Sequence, residues 1–196
     1  MKILAFSDLH LDKEAAEAIV AAAEDADLVI GAGDFAQRRD GLADYMAKLE
    51  PFGKKAIYVA GNNESFDELV DATSALCLQG DVTMRGNIAI GGIGGATPPL
   101  PPIPWESWDL TEDAAANLLD RIAKADILIS HSPPKGAADE HSRTGPIGST
   151  AVRAAVERLQ PHYLLCGHVH DSWGQTARIG RTTVMNLGPT PNWIEI

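Results

Sequence analysis

Ile3-Leu4-Ala5-Phe6-Ser7-Asp8-Leu9-His10 holds the unit on which the fold rests. Four consecutive apolar residues read as a buried strand, and the polar residues that follow fall at its C-terminal end. Asp12 is placed to cap an Ala-rich helix predicted over 13–24. The unit then recurs. Leu28-Val29-Ile30 leads into Gly31-Ala32-Gly33-Asp34, and a helix predicted over 42–49 stops before Pro51. Ala56-Ile57-Tyr58-Val59 leads into Gly61-Asn62-Asn63-Glu64. Repeated strand, polar loop and helix argue for α/β packing around a partly parallel sheet.

From about Cys77 the texture changes. Val82-Thr83-Met84 and Ile88-Ala89-Ile90 flank Arg85-Gly86-Asn87, a predicted hairpin turn. Gly91 to Gly95 follow, a cluster that suits a tight bend or a close backbone approach to a phosphate. The proline-rich stretch around Pro98 to Trp105 is stiff and poor in regular hydrogen bonding, so a rim or lid is expected at about 94–110. Thr111 caps a helix predicted to about residue 123, and Ile127-Leu128-Ile129 is a buried strand ending in Ser130-His131-Ser132-Pro133-Pro134. A polar loop over 135–148 precedes a helix over 149–159 with Ser149 as its cap. Leu164-Leu165-Cys166 is then a strand running into Gly167-His168-Val169-His170. The alternation in 173–178 and 182–185 predicts a closing antiparallel pair. One domain spanning 1–196 is expected.

The totals bound the function. At 196 residues, 45% hydrophobic and 22% charged, the chain can bury a substantial core. A net charge of −11 leaves no general basic footprint, which makes long nucleic acid an improbable partner and leaves room for a local phosphate site. Cys77 and Cys166 sit in apolar surroundings without metal-type spacing, as buried free thiols would. The opening apolar run is too short for a signal peptide and no run spans a bilayer, so a cytoplasmic chain with no membrane partner is the expectation. The sequence leaves the oligomeric state open.

Asp8, His10, Asp34, Asn62, His131, His168 and His170 all fall just after apolar strands. In open α/β sheets, ligands bind in the crevice outside the carboxyl ends of the strands. Four of the chain's six histidines lie at such positions. His168 and His170 are i and i+2, so an extended backbone aims both rings into one pocket, whereas a turn splays them far enough to reach two ions. Imidazole mixed with carboxylate suits Mn, Fe, Zn, Ni or Co better than Ca or an all-oxygen Mg site.

Asp8-x-His10, Gly33-Asp34, Gly61-Asn62-x-Glu64, His131 after a strand and Gly167-His168-x-His170, in that order, resemble the five blocks of the calcineurin-like metallophosphoesterase family. The resemblance covers almost the whole chain. It implies a four-layer α/β/β/α sandwich with two divalent transition-metal ions, Mn foremost. Asp8, His10 and His170 would hold one ion; Asn62, His131 and His168 would hold the other; Asp34 would bridge them. Two such ions, roughly 3.5–4 Å apart, share a hydroxide that attacks phosphorus in line. The expected function is hydrolysis of small phosphodiesters or cyclic nucleotides, with a phosphomonoesterase or nucleotide pyrophosphohydrolase as alternative. A non-catalytic metal-binding scaffold is the reading from another class, and the complete ligand set weighs against it.

The chain departs from the family pattern at Asn63, where most members carry histidine. An amide cannot protonate a leaving oxygen, although it can donate a hydrogen bond to phosphate or simply shape the turn. Lys135, His141 or Arg143 in the loop after His131 could replace the acid, and Arg143 could clamp the phosphate. His141 and His162 otherwise read as surface residues. Trp105 and Trp108 either stack on a base or aryl group or fasten the proline-rich loop. Asn186-Leu187-Gly188 resembles the family's closing turn.

Overall fold

The computed structural model describes residues 1–196. Its first half contributes β1 (Lys2–Phe6), α1 (Lys13–Ala22), β2 (Leu28–Gly31), α2 (Leu42–Leu49), β3 (Ala56–Tyr58), α3 (Phe66–Ala72) and β4 (Leu76–Cys77). Next come β5 (Asp81–Arg85), β6 (Ile88–Ile93), α4 (Glu112–Asp120), β7 (Ile127–Ser130), and the ribbon β8 (Glu140–His141) and β9 (Gly145–Pro146). The chain closes with α5 (Thr150–Leu159), β10 (Tyr163–Cys166), β11 (Thr176–Ile179), β12 (Thr182–Asn186) and β13 (Asn192–Glu195).

The strands form two large mixed sheets, ordered β13-β1-β2-β3-β4 and β11-β12-β10-β7-β6-β5. In the first, β1 to β4 are mutually parallel and β13 closes antiparallel on β1; in the second, β6, β7, β10 and β12 are parallel between antiparallel edges. Alternation along each strand sorts the side chains into layers. Leu4 and Phe6 of β1 join Ile19, Tyr45, Met46 and Leu69 in a core beneath α1 to α3. Ile3 and Ala5 face the other way, packing with Ile30, Ile57, Ile90, Ile129 and Leu165 between the sheets. Leu128, Leu164 and Val184 point outward onto α4 and α5, meeting Leu119, Val152 and Val156. The result is the α/β/β/α sandwich expected from the sequence.

Local chemistry explains the element ends. Asp12, Ser65, Thr111 and Ser149 accept hydrogen bonds from the first-turn N–H groups of α1, α3, α4 and α5. The sequence reading omitted α3, β4, the β8–β9 ribbon and β13. The glycine cluster has a packing origin: Gly91 and Gly92 lie inside β6, and a Cβ on Gly92 would come within 2.7 Å of Leu78 and 2.8 Å of Val59. Gly94 N–H donates to Gln79 Oε1 and Gly95 N–H to Ala60 O, so these amides serve the protein itself. No helix is long and apolar enough to cross a membrane.

Because every parallel strand runs the same way, the loops after β1, β2, β3, β7 and β10 converge on one edge of the sandwich. That edge carries the site.

Candidate metal centre

The backbone is bent hard where the polar residues emerge. Asp8, His10, Asp34 and His168 all have positive φ (55°, 45°, 59° and 69°), a region that costs a side-chain-bearing residue about 1–3 kcal/mol and clusters at functional sites. Gly33 (φ 90°) precedes Asp34, and a Cβ there would meet Gly61 N at 2.4 Å. The loops after β2 and β3 thus touch backbone to backbone, which only glycine permits.

Two ligand-type trios result: Asp8, His10 and His170, and Asp34, His131 and His168, each with its donor atoms within 4.8 Å of one another. Asp34 lies between them. Its Oδ2 is 3.6 Å from His10 Nε2 and its Oδ1 is 3.5 Å from His131 Nε2. His10 Nε2 lies 3.2 Å from His170 Nε2, and His170 Nε2 is 3.9 Å from Asp8 Oδ1. Asn62 Oδ1 sits 3.2 Å from His131 Nε2 and 3.1 Å from His168 Nδ1, joining the second trio. The left-handed turn at His168 sends the two imidazoles of Gly167-His168-Val169-His170 to different trios.

Further partners fix these groups in place. His131 Nδ1 lies 2.8 Å from Ala32 O, so Nδ1 carries the proton donated there and Nε2 is the nitrogen aimed at Asp34 and Asn62. Asn62 Nδ2 donates to Ser107 Oγ, so its carbonyl end is turned to the imidazoles. Trp108 N–H donates to Asn62 O; this tryptophan fastens the proline-rich loop. Glu64, wholly buried, accepts from Asp34 N, Gly61 N and Ala36 N and ties the two acid-bearing loops together.

Asn63 is also buried, and both ends of its amide are engaged. Nδ2 donates to Asp34 Oδ2 (2.8 Å) and Oδ1 accepts from Arg38 N (2.6 Å), while its backbone N–H donates to Asp34 Oδ1 (2.8 Å). Though only 5% exposed, Asn63 still borders the cleft.

The donor set fits divalent transition metals. Burial, then the neighbouring His131, pushes His168 down to about 3, which keeps its imidazole neutral as metal binding requires; burial likewise lowers His170. Burial alone would depress His131, but Asp34 outweighs it and lifts the imidazole to about 9. Asp34 is opposed by burial yet held below the usual carboxylate range by His131. An imidazolium thus balances Asp34 in the protein alone, and a divalent ion would displace its proton.

His10, Asp34, Asn62, His168 and His170 line the floor of a cleft of about 770 Å³, with Asp8 and His131 buried beneath it. One wall is Pro98, Pro99, Leu100, Pro101 and Trp105; opposite stand Arg38, His141, Thr144 and Asp171. Arg143 is exposed and absent from that lining, whereas Arg38 is the single lysine or arginine in it. The sequence reading passed over Arg38, although its four-residue distance from Asp34 on one tight loop was visible. His141 faces the cleft, and His162 is exposed on the surface. Lys135 Nζ donates to Pro146 O.

The calcineurin-like phosphoesterase superfamily domain matches residues 1–193. The chain belongs to that family. Among solved structures, TT1561 of Thermus thermophilus aligns with a TM-score of 0.72 at 20% identity, covering 95% of this chain and 88% of that one. A dimetal phosphatase from Danio rerio aligns at 0.64 with 15% identity, covering 96% and 88%. These likenesses confirm the fold. A UPF0046 protein of Caenorhabditis elegans is 28% identical over 182 residues, 83% of this chain. The chain spans 62% of the length of that curated relative.

Proposed function

We propose that this family member is a dinuclear-metal-dependent phosphodiesterase acting on small phosphodiesters, cyclic nucleotides among them. One observation carries the reading: two ligand trios meet on the two oxygens of Asp34 at the floor of a cleft large enough for a nucleotide. Asp8, His10 and His170 would hold one ion, Asn62, His131 and His168 the other, with Asp34 shared between them. Bound divalent ions supply Lewis-acid activation of water and neutralise charge developing on phosphorus, and Mn²⁺ heads the candidates for this donor set.

The chain's own residues define the rest. Arg38 is the one lysine or arginine lining the cleft and so available to a phosphoryl oxygen, which suits the single charge of a diester better than a monoester dianion. Pro98 to Pro101 and Trp105 offer an apolar wall for an aryl or nucleoside group. Asn63 carries an amide, which does not release a proton to a leaving oxygen at neutral pH, so easily expelled leaving groups are favoured.

The experiment is metal analysis followed by turnover of a bis-aryl phosphodiester, alkyl diesters, cyclic nucleotides, monoesters and anhydrides with Mn²⁺, Ni²⁺ or Zn²⁺. Diesters and cyclic nucleotides should lead the panel, aryl above alkyl. Faster monoester or anhydride hydrolysis would favour the monoesterase or pyrophosphohydrolase reading, and inactivity with every metal would favour a scaffold. Asp34→Ala should abolish two-ion loading and turnover together.

A further inference from the structure

We infer that Trp173 is a positioning residue for the Asp8, His10 and His170 half of the metal centre; the inference rests on the dinuclear reading above. The backbone makes a short 3₁₀ turn over His170–Ser172, and Trp173 closes it by donating its N–H to His170 O. That turn lays the indole against the His170 imidazole, with ring centroids 4.2 Å apart and planes inclined by 31°. From the same position, indole Nε1 donates to Asp8 Oδ2 at 3.0 Å. One side chain therefore holds an acid from the loop after β1 and an imidazole from the loop after β10, residues from opposite sheets.

The surroundings are built for this contact. Asp8 is 1% exposed. Its Oδ2 also accepts from Ser7 Oγ at 2.5 Å, and Ser7 Oγ accepts from Gly188 N. Gly188 has φ 74°, and a Cβ there would lie 2.8 Å from Trp173 Cγ, so the chain after β12 carries glycine where the indole rests. The hydrogen bonds to Oδ2 fix the carboxylate plane, while Oδ1 accepts from His168 N at 3.0 Å and lies 3.9 Å from His170 Nε2. Nothing equivalent reaches the other trio, whose imidazole is fixed by Ala32 O and whose amide is fixed by Ser107. Among the ligand-type residues, the indole's own contacts fall on Asp8 and His170 alone, and Asp8 meets the other trio only through the backbone N–H of His168.

Trp173→Phe keeps a ring against His170 and removes the donor to Asp8; Trp173→Ala removes both. Equilibrium dialysis of metal-stripped protein against Mn²⁺ gives stoichiometry and site affinities without reference to turnover, and circular dichroism of the same samples reports folding. Wild type should bind two ions. Trp173→Ala should keep one site near its original affinity and lose about 10–100-fold at the other, the usual effect of deleting a ligand's supporting partner. Trp173→Phe should fall between. Equal weakening of both sites in a folded variant, or unchanged binding at both, overturns the positioning role. A wild-type chain that binds fewer than two ions overturns the dinuclear reading itself, and this inference with it.

Discussion

Asn63 stands where the family pattern has a histidine, and its amide is hydrogen-bonded to Asp34 and to the Arg38 backbone. It joins the Asp34 carboxylate to the Arg38 backbone, so it couples the proposed bridging ligand to the loop that carries the cleft's one arginine. Asn63→Asp is nearly isosteric but puts a second carboxylate oxygen against Asp34 Oδ2. We expect weaker ion binding and at least tenfold lower turnover, read by dialysis and initial rates. Asn63→Ala removes the hydrogen bonds to buried Asp34 Oδ2 and to Arg38 N, at about 1–3 kcal/mol by denaturant unfolding. Unchanged metal binding in Asn63→Asp would mean that the Asp34 contact is incidental.

At the scale of elements, helix ends are anchored to other elements as well as to their own caps. Glu112, the first residue of α4, accepts hydrogen bonds from Ser149 Oγ, Thr150 N and Ala151 N at the start of α5. A carboxylate at that position satisfies orphan donors and complements the helix dipole. Burial raises its pKa, but the bonds from Ala151, Thr150 and Ser149 prevail and hold it below its ordinary 4.5. A carboxyl depressed in the fold contributes stability that is fully present above its unfolded pKa and is lost as pH falls through the folded one. Glu112→Gln should therefore cost stability at pH 7 and flatten the acid limb below about 4.5, measured by urea unfolding between pH 3 and 7. Parallel acid limbs for variant and wild type would remove Glu112 from the account.

Across the whole molecule, the site is a joint between sheets. Asp8, His10, Asp34 and Asn62 follow strands of one sheet, whereas His131, His168 and His170 follow strands of the other. The core between the sheets sets their spacing, so it also sets ligand geometry. Ile129 is fully buried there, one residue from the end of β7. Ile129→Ala should cost about 2–5 kcal/mol and reduce the metal-dependent rise in Tm, because the ligands after β7 and β10 would sit less firmly. In wild type, saturating Mn²⁺ at about 100 Kd should add roughly 2.7 kcal/mol per site, and chelation should remove it. A metal shift that survives Ile129→Ala intact would uncouple the core from the site.

Much of this was legible in the chain because it is local. An apolar run, a polar turn and a capped helix are read within a dozen residues, and the ligand-type residues stand just after the strands that deliver them. Even α3 carried a readable signal, Ser65 and Glu68 in a capping box, although its seven residues are too few for a strong period. β13 was not legible, since its pairing with β1 joins residues about 190 positions apart and nothing nearby announces it. The same limit hid the contacts that tune the site. The sequence by itself determined the α/β units, the family and the pool of ligand-type residues. Only the tertiary structure decided that Asn63 bonds to Asp34 and the Arg38 backbone, that Arg38 rather than Arg143 lines the cleft, and that Trp173 grips Asp8 and His170. Those facts depend on how loops from two sheets meet in space, and spacing along a chain does not encode that meeting.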